Sequence, residues 1–239
     1  MSQLSNSVLK RRLAVIAVGV FLVIAAAVSM LPGKKGNSEA LPTDNAAPAD
    51  VNTLPLPTAQ EILAAYGGLS KNTEQQSLVA RVGNHIVKSS DASKLSGTMR
   101  FYVMADENRI NVFALPDGTV FITSLLLNHL KTEGQLAAML SHEIAQVVHK
   151  HRPRYQPTGE LVFDQEQEIR ADATGVKLMS QAGYNPQALI DTLMAMRDIN
   201  MEVPVEFFVS HPSPVNRVAR IEFAIKQQFP DGVPDALSK

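Results

Sequence analysis

The sequence predicts an α+β fold: a mainly helical domain with a small β-hairpin or sheet, preceded by one N-terminal transmembrane helix. Three observations point there. Residues 13–31 form an uncharged apolar run of 19 residues. Three short runs with strand character cluster between positions 99 and 123, two of them flanking a Pro-Gly turn. Long segments on either side of that cluster repeat apolar residues at helical spacing.

The chain has 239 residues, enough for one domain with a proper core plus a tail. Its 22 Lys and Arg against 23 Asp and Glu leave no excess of either charge. With no basic stripe carrying interleaved aromatics, a nucleic-acid partner is not indicated. Cysteine is absent, which excludes disulfides, a thiol nucleophile, Cys-ligated zinc and a lipidated cysteine.

Residues 1–12 are polar and end in Lys10-Arg11-Arg12. At about 1.5 Å per residue, the 13–31 run nearly matches a hydrocarbon core of about 30 Å. A cleaved signal peptide is the other reading, with Ala25-Ala26-Ala27 as its cleavage site. The run continues past that site, which favours an uncleaved anchor. The basic residues ahead of the span put the N-terminus in the cytoplasm and the remainder outside it, in a periplasm. Residues 32–57, rich in Pro, Ala, Asn and Asp, read as a flexible linker. The folded domain is expected over 58–239.

Leu78, Val79, Val82, Ile86 and Val87 recur at helical spacing after a cap at Asn72 or Thr73. His85 within that helix reads as an ordinary surface or core histidine. Met99 to Met104, Ile110 to Ala114 and Thr119 to Thr123 read as strands, the last two joined through Leu115-Pro116-Asp117-Gly118. Ser124 to Leu130 makes a short helix. Thr132 with Gln135 three residues on resembles a capping box opening the next one. Arg152 to Gly159, with two prolines, breaks it. A second long helix spans Glu160 to Gln181 and stops at Gly183. Asn185-Pro186 opens a third, with Leu189, Leu193, Met194 and Met196 inward. A last helix runs through Gln228.

The chemistry concentrates in Ser141-His142-Glu143-Ile144-Ala145-Gln146, which nearly spells the H-E-x-x-H zinc motif. In that motif two histidines one turn apart converge on a metal, and the glutamate faces the attacking water as general base. Here Gln146 stands where the second histidine belongs. Glu168 and Asp172 lie four apart on the second long helix, so they share a face. Glu168 suits a metal ligand, and Asp172 could accept the other ring N–H of His142. His149 and His151 read as solvated positions at the helix end. His149 is about 10 Å along the axis from His142, and His151, nine positions on, points to the opposite side.

Five blocks in order resemble the HtpX and CAAX-prenyl-protease type of membrane-linked zinc metallopeptidases, and most closely their small periplasmic and Oma-like members. The blocks are Asn111 to Gly118, Gly134 to Ala145, Glu168 to Gly175, Gly183-Tyr184-Asn185-Pro186, and His211-Pro212 with Arg217. The resemblance implies a zincin-like domain that uses Zn2+ to cleave a polypeptide substrate. His142 and Glu168 would be ligands, Glu143 the general base, and Asp172 and Arg217 supports behind them. His211 would lie near the metal, and Asn111, Val112, Phe113 and Ala114 would pair with an extended substrate backbone. Two departures stand out. Gln146 is a neutral carboxamide, a poor zinc donor beside imidazole, which leaves His211 as the replacement. The 147–167 stretch is also shorter than in most relatives. A pseudopeptidase that binds peptides without cutting them is the alternative.

Overall fold

The computed structural model describes residues 56–95, 97–155, 161–199 and 217–237. The apolar run at 13–31, most of the linker and the His211-Pro212 stretch lie outside the described residues. Among the described residues, no helix is long and apolar enough to cross a membrane.

Helix α1 (Ala59–Ala65) opens on a reciprocal capping box between Thr58 and Glu61. Helix α2 (Thr73–Ser89) is capped by Asn72, whose side chain accepts from the Glu74 and Gln75 amides. It buries Val79, Val82 and Ile86. His85 in its last turns is half-buried, with Nε2 2.9 Å from the Ala182 carbonyl. It is a satisfied packing residue.

Strands β1 (Arg100–Met104), β2 (Val112–Ala114) and β3 (Thr119–Thr123) form one sheet in the order β1-β3-β2. The expected hairpin is present: β2 and β3 pair antiparallel, with Phe113 opposite Phe121. Its turn closes through Gly118 N–H to the Leu115 carbonyl, 3.0 Å. β1 lies parallel to β3 on the other side, Val103 opposite Ile122. All five β3 residues are buried, as a central strand covered on both faces requires. β2 is the edge. Thr123 then caps the short α3 (Ser124–His129).

Helix α4 (Glu133–Val148) is the axis of the domain. It packs against the sheet and against α2, α5 (Gln165–Gln181) and α6 (Gln187–Ile199). Apart from Gln135, every residue from Gly134 to Gln146 is buried. A helix surrounded on all sides can keep no polar face. Leu136, Met139, Leu140 and Ile144, each at most 1% exposed, contribute about 1.5–3 kcal/mol apiece by leaving water. The polar residues of its last two turns are buried with them and must find partners inside. At its start, Thr132 accepts from the Gln135 amide, 3.1 Å. Gln135 reaches one residue further back than a capping box would, accepting from the Lys131 amide at 2.7 Å.

The second long helix starts later than expected. Asp164 caps it, with Gln167 closing the box, so α5 begins at Gln165. Leu161–Val162 (β5) instead pairs antiparallel with Arg154–Tyr155 (β4). Met194 also departs from expectation: on α6 it is 44% exposed, whereas Leu189, Leu193 and Met196 point inward. Helix α7 (Arg217–Gln228) packs on α5 and α6.

Helices α4 and α5 approach closely at Gly175. A Cβ there would come within 3.4 Å of the His142 backbone nitrogen. Anything larger than a methyl would push the helix carrying Glu168 and Asp172 off the helix carrying His142.

Candidate metal centre

The two long helices deliver the expected side chains to one buried place. His142 is inaccessible to solvent, and so are Glu143 and Glu168; Asp172 is 2% exposed. The Nδ1–H of His142 donates to Asp172 Oδ1, 2.8 Å. That bond fixes the tautomer and turns Nε2 toward Glu168, whose Oε2 is 3.5 Å away. Arg217, the first residue of α7, closes the back of the site. Its Nε donates to Asp172 Oδ2 and its terminal nitrogen to Oδ1, both at 2.7 Å.

Burial opposes each of these charges, yet the neighbours outweigh it. Desolvation works against a charged His142, but Glu168 and Asp172 together push the imidazole up to about 10. Burial likewise raises Asp172, and Arg217 and His142 reverse the shift, holding the carboxyl below its ordinary range. Burial also works against the Arg217 charge. Asp172, then Glu168 and Glu143, overcome it and hold the proton more firmly than usual.

Donors on one tetrahedral zinc ion lie about 3.3 Å apart, since Zn–N and Zn–O distances are about 2.0–2.2 Å. The 3.5 Å between His142 Nε2 and Glu168 Oε2 fits that spacing. The carboxylate behind His142 supplies the second support such ligands ordinarily have. A divalent cation therefore suits these two donors. Among the described residues no three His, Asp or Glu side chains converge on one point. Gln146 lies between the two donors: its Nε2 donates to Glu168 Oε1 at 2.6 Å and lies 3.3 Å from His142 Nε2.

His151 corrects the sequence reading. It does not point to the opposite side; its Nδ1 is 2.6 Å from Gln146 Oε1. The reason is the way α4 ends. Lys150 N–H donates to the Val147 carbonyl, 2.9 Å, and His151 N–H to the Gln146 carbonyl, 3.0 Å. That is a Schellman stop, which needs a left-handed residue at its corner. Lys150 takes that conformation, with φ 53°. Helix α5 ends in the same motif at Gly183, φ 82°. Counting helical turns past Val148 thus misplaces His151. The signal that could have found it is Pro153, since proline commonly follows a helix stop within a few residues. His149 is exposed, as read, but it is not idle: Nε2 is 2.7 Å from Thr174 Oγ1 on α5, and its ring stacks on His151, centroids 5.1 Å apart.

Lys150 can be tested directly. Holding an L-residue left-handed costs about 1–2 kcal/mol, and the extra chain entropy of glycine returns about 0.5–1 kcal/mol of that. Lys150→Gly is expected to stabilise the domain by about 0.5–1 kcal/mol, seen as a melting point raised by roughly 1–4 °C. An unchanged or lowered melting point would show the turn unstrained.

A cleft of about 230 Å3 opens beside the site. Gln146, Val147, Lys150 and His151 form one wall, and Met99 with Ala114 to Gly118 the other. Asn111, Val112, Phe113 and Ala114 are buried along the edge strand, which packs on α4. Asn111 Nδ2 donates to the Tyr66 hydroxyl, 3.0 Å. Their side chains are committed to the core, so any pairing with another chain there would use the main chain alone.

Residues 73–158 and 154–225 match the profile of Peptidase family M48. The chain belongs to this metallopeptidase family. The M48 match covers both site helices and Arg217. Among curated proteins, the M48 chain is 29% identical over 197 residues to the mitochondrial metalloendopeptidase OMA1 of Schizosaccharomyces pombe, covering 68% of this chain and 57% of the relative. It is 25% identical over 190 residues to the beta-barrel assembly-enhancing protease of Yersinia pestis, covering 62% and 38%. The corresponding protease of Escherichia coli strain K12 is 25% identical over 182 residues, covering 59% and 37%. The chain thus spans between about two fifths and three fifths of the length of these relatives.

Proposed function

We propose that this M48 chain is a membrane-anchored zinc endopeptidase, held by residues 13–31 with its N-terminus in the cytoplasm and its domain outside, that cleaves polypeptides of the cell envelope. One observation carries the chemistry: His142 Nε2, oriented by Asp172, lies 3.5 Å from Glu168 Oε2 in a fully buried site. A zinc ion there would supply Lewis acidity, polarising a peptide carbonyl and lowering the pKa of water to about 7. Glu143, next to His142 on the same helix, is the base: its carboxylate takes the proton from the attacking water and passes it to the departing amine. Asp172 and Arg217 hold the imidazole in place. The β2 edge pairs with the extended substrate backbone. The envelope setting is supported by the apolar run and by likeness to a protease named for beta-barrel assembly. The likeness to OMA1 supports a place among the small periplasmic and Oma-like members.

A second reading has its own observation. The Gln146 amide nitrogen approaches both His142 and Glu168, which favours a zinc-free module that binds peptides without cutting. The test is zinc content and cleavage of an unfolded protein, for the full chain in mild detergent and for Gln146→His. Stoichiometric zinc with chelator-sensitive cleavage in the parent supports the enzyme. Zinc and cleavage confined to Gln146→His would establish the non-cutting module instead.

A further inference from the structure

We propose that His151 supplies the donor that position 146 lacks, so that His142, Glu168 and His151 hold the metal and Gln146 is a displaceable plug between them. This rests on the zinc reading above and names the ligand set it needs. Two imidazoles and a carboxylate make a donor set that catalytic zinc sites use, and either ring nitrogen of a neutral histidine can bind.

The geometry leads there from three sides. A single carboxamide spans the gap: its oxygen is 2.6 Å from His151 Nδ1, and its nitrogen is 2.6 Å from Glu168 Oε1 and 3.3 Å from His142 Nε2. His151 thus meets one end of the same carboxamide whose other end meets the two donors, and with Gln146 turned away its ring has to close the remaining gap. The plug has somewhere to go. Gln146 lines the adjoining cleft of about 230 Å3, and a glutamine can turn into it by rotating staggered torsions.

The His151 ring is also held for the task. It stacks on His149 at 18° between planes. His149 in turn meets Thr174, on the helix that carries Glu168 and Asp172. The turn that brings His151 back keeps Lys150 left-handed at φ 53° without the usual glycine. Such a conformation persists where its surroundings over-determine it.

The test is metal affinity, not turnover. The metal-stripped full chain, in mild detergent, is titrated with Co2+ and then Zn2+, alongside Gln146→Ala and His151→Gln, with circular dichroism as the folding control. Losing a support behind a ligand costs about 10–100-fold in metal affinity, so losing a ligand should cost more. His151→Gln is expected to weaken binding by more than about 100-fold and to change the visible Co2+ spectrum. Gln146→Ala is expected to bind at least as tightly as the parent. Binding by His151→Gln within ten-fold of the parent would overturn the proposal while leaving the zinc enzyme standing. Loss of binding in Gln146→Ala would overturn it too, by making the carboxamide the ligand. If His151→Gln does not fold, Gln146→Ala decides alone. No metal in the parent or in Gln146→Ala, with metal in Gln146→His, would remove the zinc reading and this proposal together.

Discussion

Glu143→Gln is expected to lower kcat/KM for an unfolded protein substrate by about 10²–10⁴-fold, while zinc content and melting point stay at the parent's values. That is the usual contribution of a positioned general base, or roughly 3–5.5 kcal/mol of barrier at 1.36 kcal/mol per decade. The substitution keeps the size of the side chain and removes only its ability to accept a proton. Glu143 sits in the buried core of α4 with no exposure, so no surface carboxylate can take over. The readout is initial cleavage rate, measured with metal content in the same samples. Parent-like cleavage would take Glu143 out of the reaction. A fall matched by lost zinc would make it a support of the metal rather than the base.

Arg217→Met should give the largest loss of stability, about 3–5 kcal/mol. Arg217 and Asp172 form a bidentate pair at 2.7 Å, each at most 3% exposed. Truncating one partner of such a pair leaves the other charge buried, and that penalty is about 3–5 kcal/mol. In a domain this size each kcal/mol moves the melting point by roughly 2–4 °C, so a fall of about 6–20 °C is expected. Arg217→Lys should fall between, since an ammonium cannot grip both carboxylate oxygens. The double variant Asp172→Asn with Arg217→Met should recover part of the loss, because it no longer strands the Asp172 charge, although Glu168 still loses its contact with Arg217. A melting point for Arg217→Met within 2 °C of the parent would mean that the pair does not hold α7 against α5.

The His142–Asp172 bond and the Glu168 contact were legible because both depend on helix periodicity. Residues four apart share a face whatever surrounds them, so the pairing was readable even though the Asp164 cap that starts the second helix was not. The hairpin was legible for the same local reason, since Pro116 to Gly118 dictate the turn. The parallel pairing of β1 with β3 was not. It joins residues about twenty apart through the intervening β2, and no local signal states which side of β3 stays open. Met194 failed similarly: its period fits an inward face, and only the neighbouring helices decide which face is covered.

His151 marks the boundary most clearly. The sequence by itself determined which polar side chains meet in the buried site: an imidazole and two carboxylates at positions that any α-helix would align, with the Gln146 carboxamide beside them. It also pointed to the metallopeptidases, and the match to Peptidase family M48 shows that broader family. Only the tertiary structure decided what faces the carboxamide. Helical spacing is set by bonds four residues apart and can be counted. Where a helix stops is set by capping and packing together, and here the stop falls on a left-handed lysine. Two residues later the chain has turned back, and a histidine assigned to solvent stands against the centre of the site.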